Sequence, residues 1–120
     1  MNILVIDDNV ALGETLAMMI EVMGHKPFVA LTGYDGVAVA KANPPQLVFL
    51  DLGLPDIDGY ETCRLLRRLP GAENTKIVAQ SGRGEPEDID QARSAGFDRF
   101  IVKPAPFETL EEIVNSLEPQ

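Results

Sequence analysis

The sequence predicts a three-layer α/β/α sandwich around a five-stranded parallel sheet of order 2-1-3-4-5. Three observations carry that expectation. Five short apolar runs alternate with five stretches whose apolar residues recur at helical spacing. The first and third runs are apolar almost throughout, as strands covered on both faces require. The alternation fills all 120 residues, which suits one domain over 1–120 with right-handed crossovers and leaves no linker long enough for a second.

The apolar runs lie at 3–6, 26–31, 47–50, 76–79 and 99–102, each bounded by polar or turn residues, so each reads as a strand. In the first intervening stretch Leu12, Leu16, Met19, Ile20 and Met23 share one helical face, and Gly24 ends the helix. Residues 36–42 make a shorter helix that stops before Pro44-Pro45. Residues 60–69 form the third, with Thr62, Leu65, Leu66 and Leu69 on its stripe. Pro86 suits the first turn of a fourth helix, where Glu87 and Asp88 are favourable, and Gly96 closes its other end. Phe107, Leu110, Ile113, Val114 and Leu117 give the fifth its apolar face, and Glu118-Pro119-Gln120 reads as a tail.

Composition narrows the functional classes. The chain is 45% hydrophobic and 24% charged, an ordinary globular balance. Its net charge of −9 argues against a nucleic-acid surface, which needs a basic stripe. No apolar run is long enough to span a bilayer, and the first residues lack the basic region of a signal peptide. The lone Cys63 has no internal disulfide partner, which suits a reducing cytosol. The expectation is a cytoplasmic domain without membrane insertion or direct nucleic-acid binding.

In open parallel sheets ligands bind beyond the carboxyl ends of the strands, where the strand order reverses. Strand one ends in Asp7-Asp8, strand three in Asp51, strand four in Ser81, and strand five in Lys103 before Pro104. Strand two, displaced from that crevice, ends in the unreactive Ala30-Leu31. Each group alone has an ordinary explanation as a helix cap, a turn or a surface residue. Four at one edge are better explained as a site. Three carboxylates there repel one another, at about 4 kcal/mol per pair for ~4 Å and an effective dielectric of about 20. Either an acid is protonated or a cation is present, and all-oxygen ligands suit Mg²⁺ held by Asp7, Asp8 and Asp51. With the Lys103 ammonium and the Ser81 hydroxyl, such a site is built for phosphoryl oxygens, and the central Asp51 is the best-placed nucleophile.

These residues carry a family resemblance. Val5-Ile6-Asp7-Asp8-Asn9, Val48-Phe49-Leu50-Asp51-Leu52-Gly53-Leu54-Pro55-Asp56-Ile57-Asp58-Gly59, Ser81-Gly82 and Val102-Lys103-Pro104, in this order and spacing, resemble the receiver domain of bacterial two-component response regulators. The likeness runs from Asn2 to about Leu117 and implies the flavodoxin-like (CheY-like) fold. It implies that Asp51 accepts the phosphoryl group, that Asp8 and Asp51 ligate Mg²⁺ directly and Asp7 through water, and that the Gly53 carbonyl completes the protein ligands. Lys103 would pair with Asp51 and the phosphoryl oxygens. Ser81 would move to meet them, and Phe100 would change rotamer with it. The donor implied is a phosphohistidine on a sensor histidine kinase or a histidine phosphotransfer protein. The downstream protein target would dock on the face made by the fourth helix, fifth strand and fifth helix. Such a domain catalyses only its own phosphorylation and dephosphorylation. Asp8-Asn9-Val10, Leu16-Ala17 and Met23-Gly24-His25 resemble the receivers of hybrid sensor kinases, so the chain is expected either to stand alone, with no effector after residue 120, or to belong to a longer protein.

Some positions depart from the common pattern. Phe100 stands where a tyrosine is frequent and Gly82 where alanine is usual. Gly53 and Arg83 flank the expected phosphoryl position and are the candidates for setting phosphoryl lifetime. His25 is expected to be an exposed turn residue, Asp56 and Asp58 solvated loop acids, Cys63 a half-buried apolar residue, and Met18, Met19 and Met23 helix packing. Two other functions are weighed: an interaction module that has lost phosphorylation, although the full residue set is present, and a small Mg²⁺-dependent phosphatase. The latter needs an acid two residues after the nucleophile, where this chain has Gly53.

Overall fold

The structure is a computed structural model that describes residues 1–82 and 86–117. Its elements are β1 (Asn2–Ile6), α1 (Val10–Val22), β2 (Lys26–Ala30), α2 (Gly33–Ala42), β3 (Leu47–Asp51), α3 (Gly59–Arg67), β4 (Lys76–Ser81), α4 (Pro86–Ala95), β5 (Arg99–Val102) and α5 (Phe107–Leu117), with a 3₁₀ turn at Ala72–Asn74. The strands pair in parallel in the order β2-β1-β3-β4-β5. This is the expected CheY-like, flavodoxin-type sandwich.

Side-chain alternation along each strand divides the core in two. Leu4, Ile6, Val48, Leu50, Ile77 and Ala79 face α2, α3 and α4. Ile3, Val5, Leu47, Phe49, Val78 and Ile101 face α1 and α5. Most are fully removed from water, and each large one contributes about 1.5–3 kcal/mol by burial. Cys63 belongs to the first layer and is fully buried, where the sequence suggested half burial. Burial pushes its thiol up to about 11, despite Arg67 nearby, so it packs as a small apolar group.

Local chemistry sets the helix ends. Asn9 caps α1 by accepting from the Leu12 N–H at 3.1 Å, and Gly24 and Gly96 follow α1 and α4 with φ of 88° and 108°, the left-handed turn that glycine adopts without strain. Helix α2 begins at Gly33 rather than at residue 36, because the Thr32 hydroxyl accepts from the Asp35 N–H at 3.1 Å and starts the helix one turn early. Helix α3 stops at Arg67, short of residue 69, where its end tightens as the Arg68 and Leu69 N–H groups donate to the Leu65 and Leu66 carbonyls; the separate 3₁₀ turn follows Gly71. Strand β2 ends at Ala30 and β4 continues to Ser81, each shifted slightly from the run of apolar residues.

Candidate functional site

The sheet register brings the strand ends to one edge. Ile6 pairs with Leu50, Asp51 with Gln80, and Ser81 with Val102, so the residues at or just past these ends converge. Asp7 remains tied to the sheet, its N–H donating to the Ala30 carbonyl at 3.0 Å, and is 1% exposed. Its Oδ1 accepts from the Asn9 N–H at 2.9 Å, so the turn that caps α1 also orients Asp7. Asp8 projects into solvent. Asp51, the last residue of β3, is 8% exposed, and its Oδ1 accepts from the Gly53 N–H at 3.3 Å.

Lys103 reaches between the two buried acids. Its Nζ lies 3.1 Å from Asp7 Oδ2 and 3.3 Å from Asp51 Oδ1. The Lys103 N–H donates to the Ser81 carbonyl at 2.7 Å, which fixes the lysine against the end of β4, and the Lys103–Pro104 peptide is cis. Ser81 is half-buried at that end. Phe100 is half-buried beside the layer that faces α2, α3 and α4. The structure thus brings Asp7, Asp8, Asp51, Ser81 and Lys103 to one rim, with Gly53 exposed on the loop above. Arg83 lies outside the described residues.

Electrostatics follow from this geometry. Burial pushes the Asp51 carboxyl above its ordinary value, against the Gly53 N–H and the Lys103 ammonium, while the charge of Asp7 reinforces the rise. Burial alone would lower the Lys103 ammonium, but its hydrogen bond to Asp7 and the charges of Asp51 and Asp7 outweigh it and raise the value. Lys103 is therefore a fixed cation facing an excess of carboxylates. Ligand oxygens of Asp7, Asp8 and Asp51 lie within 4.8 Å of one another. A hard divalent cation fits this all-oxygen set, and the exposed Asp8 leaves room for the waters that Mg²⁺ retains.

The remaining sequence expectations divide. His25 sits away from the rim, with Nδ1 2.8 Å from the N-terminal amine. Met18 is exposed, while Met19 and Met23 pack against the layer facing α1 and α5. Asp58 is not merely solvated: it caps α3 through the Glu61 N–H at 2.9 Å. Nor is Asp56, whose carboxylate accepts from the Gly33 and Tyr34 N–H groups, both at 2.9 Å. Desolvation, the largest single influence, would raise its carboxyl, but the N–H groups of Tyr34, Gly33, Ile57 and Asp56 itself together outweigh it and draw the value down to about 2. The sequence does not reveal this contact because it places the start of α2 at residue 36, too late to present those amides.

Comparison with known proteins agrees with the geometry. The response regulator receiver domain family matches residues 3–115. The chain belongs to that family. This receiver is 35% identical over 102 residues to the transcriptional regulatory protein KdpE of Mycobacterium tuberculosis, covering 85% of this chain and 44% of KdpE. It is 26% identical over 119 residues to the signal transduction histidine-protein kinase BarA of Escherichia coli, covering 99% of this chain and 13% of BarA. Among solved structures, the receiver domain of a sensor histidine kinase from Pseudomonas aeruginosa superposes with a TM-score of 0.87 at 23% identity, over 96% of this chain and 94% of that one. That protein has a magnesium ion coordinated in its active site cleft. The chain spans about half the length of other curated relatives it matches, 50% of one and 48% of another. As a receiver it is a phosphoryl-accepting signalling domain of two-component systems. Among the described residues no helix is long and apolar enough to cross a membrane.

Proposed function

We propose that residues 1–120 act as one cytoplasmic receiver unit in which Asp51 takes a phosphoryl group from a protein phosphohistidine. The carrying observation is the Lys103 ammonium seated between Asp7 and Asp51. Lys103 and the Gly53 N–H both engage Asp51 Oδ1, so Oδ2 is the oxygen assigned to attack. A new O–P bond forms as the donor's N–P bond breaks, and the electron pair stays with the imidazole nitrogen, which is then protonated. Asp8 and Asp51 would ligate Mg²⁺ directly, Asp7 through water, and Gly53 through its carbonyl. When bound, the ion neutralises charge on the phosphoryl oxygens. Lys103 contributes an N–H toward the same oxygens, and burial of Asp7 and Asp51 excludes bulk water that would screen them.

Output follows from the same rim. Ser81 ends β4 and Phe100 lies on β5, so a phosphoryl group that draws the Ser81 hydroxyl inward would open space for Phe100 to turn. This biases the α4-β5-α5 face toward its target-binding form. Gly53 and Arg83 set phosphoryl lifetime by controlling access of water. A protein donor is favoured by the apolar edge beside the site, where Val10, Met18, Val29 and Leu31 line one groove. The deciding experiment uses acetyl phosphate with and without Mg²⁺, and intact mass to detect the acyl phosphate. Wild-type protein gains one phosphoryl group only with Mg²⁺, and Asp51→Asn gains none. A phosphorylated Asp51→Asn protein would show the nucleophile to be elsewhere.

A further inference from the structure

We propose that Asp56 is a positioning residue for the metal: by tying the tip of the β3–α3 loop to the first turn of α2, it holds the Gly53 carbonyl where the cation binds. This rests on the assignment of Gly53 as a ligand. The first N–H groups of a helix have no acceptor within the helix. Here the two sides divide them. Thr32, the cap, takes the Asp35 N–H, while Asp56 comes across from another loop to take the Gly33 N–H on Oδ1 and the Tyr34 N–H on Oδ2, each at 2.9 Å. A carboxylate is favoured at this positive end of α2.

Packing repeats the same connection. A Cβ on Gly33 would lie 2.6 Å from Ile57 Cγ1, so the residue after Asp56 seats directly on the α2 backbone, and only glycine permits that approach. The base of the loop is also closed. The Gly59 N–H donates to the Leu52 carbonyl at 2.9 Å, and a Cβ on Gly59 would lie 2.6 Å from Leu52 Cα. Gly53 lies between these anchors. It is exposed, a Cβ there would meet nothing within 4 Å, and its N–H reaches Asp51 Oδ1 at a long 3.3 Å. With no packing of its own, Gly53 inherits its position from the two ends of the loop, and Asp56 is the polar anchor at the tip.

The test is Mg²⁺ affinity, with the metal alone as probe, measured by titration of amide resonances in wild type, Asp56→Ala, Asp56→Asn and Thr32→Ala. Thr32→Ala removes the other cap of the same helix and so reports what weakening α2 does by itself. Asp56→Ala is expected to bind Mg²⁺ roughly five- to tenfold more weakly, Asp56→Asn to fall between, and Thr32→Ala to bind as wild type. At saturating Mg²⁺ the acetyl phosphate rate of Asp56→Ala should return to that of wild type. Wild-type affinity in Asp56→Ala, or an equal loss in Thr32→Ala, overturns the positioning role. Failure of wild type to bind Mg²⁺, or undiminished binding by Asp8→Ala, overturns the metal assignment beneath it.

Discussion

The Lys103 ammonium lies 3.1 Å from Oδ2 of Asp7, a carboxylate that is almost completely buried. Asp7 depends on that charge, because a buried ion without a partner is far more costly than the pair. Lys103→Met should therefore destabilise the metal-free protein by about 3 kcal/mol at neutral pH, measured by urea unfolding in EDTA. Millimolar Mg²⁺ should narrow the difference, since the ion supplies the missing positive charge. The Lys103 value is raised, so its stabilisation is whole below the ordinary lysine value and fades only as pH climbs through the higher folded one. A Lys103→Met protein as stable as wild type throughout would contradict the pairing.

Asp51 has a linkage of the same sign, in the carboxylate pH range. Its folded value is raised by burial, so the native state favours the protonated carboxyl. The contribution to stability is fullest below the ordinary carboxylate value and is lost as pH rises through the folded one. At neutral pH without metal, the ionised group weakens the fold. Asp51→Asn is thus expected to be more stable than wild type in EDTA at pH 7, with the gain shrinking toward pH 3. Thermal unfolding across that range tests the sign. Adding Mg²⁺ should favour wild type instead, because the amide is the poorer ligand.

The sheet order and the rim are legible in the sequence because both follow from simple rules. Near-continuous apolar runs such as 47–50 demand cover on both faces, and the polar residues that close the strands at or just past these runs emerge at the same edge. Asp7, Asp51, Ser81 and Lys103 are found that way. Asp56 is not, because its partners are backbone amides that belong to a helix start hidden by two glycines, Gly33 and Gly36, which weaken the apparent helical signal. Arg67 escapes notice for a related reason. Nothing in a charged residue at the end of a helix reveals that distant carbonyls will converge on it.

Arg67 is in fact the main polar clamp at the end of α3. Its guanidinium donates to the Gly96, Ala72 and Thr75 carbonyls and, at 2.6 Å, to Asp98 Oδ2, which also accepts from the Ile77 N–H. Arg67→Ala should remove the donors to the Gly96 and Thr75 carbonyls, while Ala72 keeps the Thr75 N–H, and cost about 2–4 kcal/mol. Arg67→Lys should recover only part, since one ammonium cannot serve four acceptors in a planar fork. The site is distant, so the acetyl phosphate rate should be unchanged under conditions where the variant is folded. Urea midpoints together with that rate separate the two effects.

The exposed edge beside the site separates a protein donor from a small one. Met18 is 68% exposed on α1, and Val29 and Leu31, 40% and 42% exposed, continue the apolar surface on β2 and just beyond it. Side chains so open contribute little to the fold, so Met18→Asp and Leu31→Asp should change stability by less than about 0.5 kcal/mol. Acetyl phosphate needs no docking surface and should phosphorylate both variants at the wild-type rate. A phosphorylated histidine phosphotransfer domain, which has to bury surface around its imidazole, should transfer roughly tenfold more slowly to the double variant, an effect of about 1.4 kcal/mol. If transfer from the protein donor were unaffected while Val102→Asp on β5 impaired it, docking would lie on the opposite side of the sheet.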